Sequence, residues 1–258
     1  MFRRIFLVAL LAGLAAGLVA TAIQMTWTVP LILEAETYEQ EKPSATIPRG
    51  HEHAAAPATG AAPADAHAHT HASGHHDDHA GAEGGLARAG LTALTNILLG
   101  VGGGLLISGA FALRRASVDW KTGLGWGAGA YVAFSLSPSI GLPPELPGTL
   151  SADLHARQAW WAFTVFATGG GLLLAAYGKR ALLRIGGSVL VLLPHVVGAP
   201  QPEYHEATAP PELVREFVMA SLLSAACFWL ALGAAAGGLA ARFRLTEAER
   251  SSARVQTI

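Results

Sequence analysis

Fourteen consecutive residues, His67 to Ala80, read HAHTHASGHHDDHA and carry six histidines and two aspartates. They belong to a wider cluster. Eight of the 11 histidines, His51, His53, His67, His69, His71, His75, His76 and His79, fall between residues 51 and 79. Neutral imidazole is the commonest protein metal ligand. His-x-His spacing on a pliable chain lets two or three rings wrap one ion, and Asp77 and Asp78 add hard oxygen donors. Such a nitrogen-rich set follows the Irving–Williams order, favouring copper or nickel over cobalt or manganese, so these residues point to a divalent transition metal without choosing one. The plainer alternative is a solubilising linker with incidental metal affinity. The density of histidines, with few other aromatic or cationic residues among them, favours metal collection.

A second group of polar residues brackets the apolar runs. Glu34 and Glu36 follow the first run, Asp153, His155, Arg157, Gln158, Trp160 and Trp161 precede the fourth, and His195 and His205 lie near the end of the fifth. His195 is the most pointed. Counted from Ala181 at ~1.5 Å per residue, it sits roughly 21 Å into a ~30 Å hydrocarbon core. An ionisable residue at that depth is costly and is a functional candidate by default. Pro194 before it removes a backbone donor and exposes a carbonyl. The bland alternative is a neutral histidine bonded to a neighbouring helix. His155 and His205 are candidates to join His195 as further imidazole ligands. Gln24 and Asn96 suit interhelical hydrogen bonds. Arg157 is expected to pair with Asp153 by i, i+4 spacing, and Trp160 and Trp161 read as an interfacial belt.

These residues need helices in lipid to hold them. The chain has 258 residues, 52% of them hydrophobic and 14% charged, against about 25% charged in soluble domains. Six apolar segments stand out, roughly 5–33, 91–113, 122–137, 158–177, 181–197 and 213–241, the third and fifth marginal in length. The expectation is an all-α polytopic membrane protein of about six transmembrane helices with a disordered His-rich loop. Its parts are a first helix over 1–33, a loop over 34–90, a five-helix bundle over 91–241 and a tail over 242–258. With the N-terminus placed inside, inner segments hold twelve of the 17 basic residues and three of the 18 acids. That asymmetry puts both termini in the cytoplasm and the histidine loop outside an inner (plasma) membrane. The first segment also carries a signal-peptide-like Ala20-Thr21-Ala22, but its apolar run continues to Leu33, which favours an uncleaved helix. Gly13/Gly17, Gly125/Gly129 and Gly233/Gly237 are spaced to let helices approach closely. The single cysteine, Cys227, excludes an internal disulfide. Neither GxxxxGK[ST], HExxH nor GxSxG is present, so no nucleotide is bound by a phosphate loop and no enzyme is expected. A nucleic-acid partner is not expected either; lipid is.

VPLILEAETYE closing the first run, PPELPG, ADLHARQAWW opening the fourth and LPHVVGAPQPE ending the fifth resemble, in order, the CbtA-type family of predicted cobalt transporter subunits. The resemblance implies cobalt uptake linked to cobalamin biosynthesis, cobalt rather than nickel as substrate, and a small single-span partner with its own histidines. It draws attention to Glu34, Glu36, Asp153, Arg157, Gln158, Trp160, Trp161 and His195. The expected function is therefore a divalent-metal transporter subunit whose site lies near Glu34, Asp153 and His195. The rival is a non-conducting, periplasm-facing metal buffer.

Overall fold

The computed structural model describes residues 2–41, 80–114, 117–202 and 208–243. The histidine loop, Asp77, Asp78 and His205 lie outside the described residues. Among the described residues there are eight α-helices: α1 Phe2–Ile23, α2 Val29–Glu41, α3 Ala80–Arg114, α4 Trp120–Tyr131, α5 Ser137–Gly141, α6 Leu154–Tyr177, α7 Ala181–Val197 and α8 Pro211–Arg242. Two π-helical stretches, Gln24–Thr28 and Val132–Leu136, join α1 to α2 and α4 to α5 without a break. The first helix thus runs well past residue 33, and α3 begins well before residue 91. Glutamates at 34, 36 and 39 are good helix formers and carry the helix beyond its apolar part.

Among the described residues four helices are long and apolar enough to cross a membrane: Phe2–Gln40, Gly85–Arg114, Leu154–Tyr177 and Pro211–Arg242. Two of the six expected spans take a different form. The third is helical from Trp120 to Gly141 but in three pieces. The fifth, Ala181–Val197, has 17 residues, or about 26 Å at the α-helical rise, short of a ~30 Å core. Exposed leucines such as Leu10, Leu14, Leu18, Leu98 and Leu192 give these helices outer faces suited to lipid.

With no hydrophobic effect between helices in lipid, close backbone approach must supply the packing, and glycine register shows where it does. The main pairs are α1 with α3 and α8, α4 with α8, and α6 with α7. A Cβ on Gly100 would lie 2.5 Å from the Gly13 carbonyl oxygen, and one on Gly17 2.8 Å from the Ile97 backbone, so Gly13/Gly17 packs as expected. Gly233/Gly237 does too, but against Gly123 and Gly127. Gly125 and Gly129 have open space where a Cβ would sit, so that expected pair is corrected by two residues. They face a largely apolar cavity of about 480 Å³ between α3, α4, α6 and α8. The core of Val8, Ala12 and Ala16 (α1), Ile107 and Phe111 (α3) and Phe228, Trp229 and Leu232 (α8) fills the centre.

The ends of the bundle differ in charge. Arg4 donates to the Phe243 carbonyl, and Arg114 bonds and stacks on Tyr177, which gathers the basic residues at one end. Asp119 caps α4 there. The Thr122 hydroxyl and then its amide hold its carboxyl below the ordinary carboxylate range, so the charged cap persists at neutral pH and fades as pH falls. At the opposite, acidic end Arg88 of α3 meets Glu36 of α2 at 3.9 Å.

Candidate polar site within the membrane helices

Three apolar helices bring three polar side chains together. Pro194, inside α7 and buried, cannot donate to the Leu190 carbonyl, which weakens the helix one turn before its end. Gly198 then turns the chain at φ 85, where a side chain would be strained. His195 projects from this loosened turn, and its Nε2 lies 3.0 Å from Ser137 Oγ. Ser137 Oγ in turn lies 2.9 Å from Thr168 Oγ1 on α6. Ser137 follows the π-helical stretch of 132–136, whose wider turn re-aims the residues around it; two residues earlier, Ser135 Oγ accepts from Trp229 Nε1. A serine hydroxyl donates once and accepts up to twice. Ser137 can therefore bond Thr168 and His195 Nε2 at once, donating to one and accepting from the other.

α6 continues this chain toward the acidic end on one face. Arg157, Trp160, Thr164 and Thr168 follow one another at three- and four-residue steps. Thr164 and Thr168 are fully buried. The Trp160 ring meets His195 edge-on at 6.3 Å between centroids. Trp160 is 7% exposed, and its Nε1 has no hydrogen-bond partner among the described residues. The expected belt role therefore fits Trp161, which is exposed and leans on Phe134, but not Trp160. In the other direction, toward the basic end, α6 and α7 touch backbone to backbone, a Cβ on Gly187 falling 2.6 Å from the Gly171 oxygen.

At the acidic end Arg157 pairs with Glu145 at 2.8 Å, not with Asp153. Asp153 is occupied in capping α6, its Oδ1 accepting from the Ala156 amide at 2.9 Å, and an N-cap carboxylate points back over the first turn. Glu145 Oε2 also accepts from Ser151 Oγ. Glu34, His155 and Gln158 are exposed. Gln24 and Asn96 do form the expected interhelical bond, at 2.8 Å, and Asn96 also reaches Thr21.

Among the described residues no three of His, Cys, Asp and Glu come together as a metal site. Glu34, Asp153 and His195 therefore do not share one coordination sphere: Glu34 is exposed, Asp153 caps α6, and His195 bonds Ser137. What the group offers is one imidazole and two hydroxyls. This nitrogen-and-oxygen set is of the kind that suits a borderline divalent cation. Ser137, Thr168 and Glu145 escaped the sequence reading, since serine and threonine are common in membrane helices and PPELPG gave no sign of an ion pair. Asp153 gives a direct check. Asn caps as well as Asp, so Asp153→Asn should leave stability and transport unchanged, whereas Asp153→Ala should lower stability by about 1 kcal/mol; loss of transport in the Asn variant would return Asp153 to the metal path.

A family model described as CbtA, probable cobalt transporter subunit, matches residues 2–241, nearly the whole chain. No curated protein and no solved structure matches.

Proposed function

This chain belongs to the CbtA family, and from that premise we propose that it is the permease subunit of an inner-membrane system that takes up divalent cobalt for cobalamin biosynthesis. Six spans cross the bilayer, the basic end faces the cytoplasm and the acidic end with the histidine loop faces outward. The loop of His51 to His79 gathers the ion, which then passes His195, Ser137 and Thr168. Cobalt is the substrate in preference to nickel, and a small single-span, histidine-bearing partner completes the system. With no phosphate-binding loop in the chain, the driving force is the membrane potential or a partner.

The observation that supports a permease is the hydrogen-bonded His195–Ser137–Thr168 chain inside apolar helices. A tether for a chelating loop has no need of buried polar groups, which cost free energy in hydrocarbon. Radiolabelled cobalt uptake by cells expressing the chain, with and without the partner and with nickel as competitor, tests this reading. Deleting residues 51–79 should raise the half-saturating cobalt concentration and preserve maximal flux. Loss of all cobalt association on that deletion, with no flux in the intact protein, would make it a buffer.

A further inference from the structure

The cavity of about 480 Å³ has an apolar body and a cationic end. Gly125 and Gly129 of α4 line it, and a Cβ on either would meet open space. Leu106 of α3 and Leu173 of α6 also line it and are exposed, so it opens on the outer face of the bundle. Its lining on α4 runs from Thr122 to Phe134, roughly 18 Å at the helical rise and close to half of a ~30 Å hydrocarbon core. Carbon atoms pack about 4 Å apart, so one hydrocarbon chain of that length takes on the order of 300 Å³. A transmembrane helix, about 10 Å across with its side chains, would take on the order of 1,400 Å³. The space fits the chain and not the helix.

Tyr177 marks the cationic end. It lines the cavity, stacks on Trp126 at 6.3 Å between centroids, and its hydroxyl accepts from Arg114 Nη1 at 2.9 Å. Among the described residues no carboxylate pairs with Arg114. Lys121 adjoins Thr122, and Lys179 and Arg180 follow closely on Tyr177. Asp119, which caps α4 at this end, is already held by Thr122. Basic residues beside a gap between membrane helices select an anionic head group. The exposed Trp120 and Tyr177 are of the types that sit at head-group level.

We propose that this cavity is a site for an anionic phospholipid, with one acyl chain lying along Gly125 and Gly129 and the phosphate on Arg114. The site does not depend on what the protein transports. α4 packs chiefly on α8 and meets α6 only slightly, so an acyl chain between α4 and α6 supplies packing that their own side chains do not. Bound lipid should therefore stabilise the fold, and an anionic lipid should do so more than a zwitterionic one of the same chain length.

Thermal unfolding of the full chain in detergent, with phosphatidylglycerol or phosphatidylcholine added, tests this. Phosphatidylglycerol should raise the melting temperature by several degrees more than phosphatidylcholine does. Arg114→Gln should erase that difference and Arg114→Lys should keep part of it. Tyr177→Phe, which removes the hydrogen bond to Arg114 but no charge, should keep it whole. Gly129→Leu, whose side chain enters the cavity, should erase the response to both lipids. A second measurement needs no variant and keeps the test open if Gly129→Leu does not fold. Phosphatidylglycerol with a photoactivatable acyl chain, in proteoliposomes, should label residues 122–134 and 169–177 more than the outer-face Leu10 and Leu192. Unlabelled phosphatidylglycerol should compete for that labelling better than phosphatidylcholine. Equal melting shifts from both lipids would overturn the proposal, as would labelling spread evenly over the outer helix faces. No label at 122–134, in a protein that is dimeric, would give the groove to a second copy and overturn it too.

Discussion

Replacing His195 with alanine should reduce cobalt uptake by at least about tenfold, in a protein that still assembles in the membrane. Groups that ligate a metal or orient its ligands carry about 10–100-fold each in affinity or activity, and among the described residues His195 is the only imidazole bonded to Ser137 and Thr168. The informative comparison is His195→Gln. Its side-chain amide can still bond Ser137 Oγ but is a poor ligand for a transition metal. A mere interhelical bond would leave His195→Gln close to wild type in uptake, whereas a transit ligand would leave it as impaired as alanine. Ser137→Ala should show a smaller loss, since it removes the group that fixes the ring but leaves the ring itself. Initial rates of labelled cobalt uptake, normalised to folded protein, decide among these outcomes. Wild-type uptake in His195→Gln would reduce the residue to a structural role.

The second large effect is on assembly. Gly233→Ala should destabilise the protein by about 3 kcal/mol or more, the upper end of overpacking penalties. The added Cβ would fall on the Gly123 carbonyl oxygen and 2.7 Å from the Gly127 Cα, and neither backbone atom can rotate away. Gly125→Ala and Gly129→Ala meet open space and should be neutral or stabilising by up to about 1 kcal/mol through helix propensity. Thermal unfolding in detergent distinguishes the two sets. Equal melting temperatures would mean that α4 and α8 do not meet in this register.

Those glycines also show where the sequence was legible and where it was not. Gly13/Gly17 and Gly233/Gly237 are isolated enough for their four-residue spacing to name the packed face. The stretch from Gly123 to Gly129 has a glycine at every second position, so two faces carry the same spacing and only a partner helix can choose between them. His195 was legible because an ionisable group in an apolar run has few explanations. Its partners were not, because the sequence does not say which of many hydroxyls a fold brings within 3 Å. Arg157 misled for a physical reason: i, i+4 spacing holds inside a helix, but Asp153 sits at the cap, where its carboxylate serves backbone amides. Glu145 then takes the guanidinium from a proline-flanked loop without helical periodicity. The third and fifth expected spans, already marginal in length by sequence, are the two that take a different form: π-helical turns interrupt one, and the other has 17 residues.

The close contact of Gly171 with Gly187 joins α6 and α7 into a hairpin through backbone rather than interlocked side chains. The hairpin meets the remainder mainly through α4, α5 and the π-helical stretch between them, and the 480 Å³ cavity lies along that side. Densely packed interiors resist compression, whereas voids yield. The mechanical softness of the protein is therefore concentrated along one seam, with a stiff block of α1, α3 and α8 on one side and a stiff hairpin on the other. Hydrostatic pressure should act first on that seam.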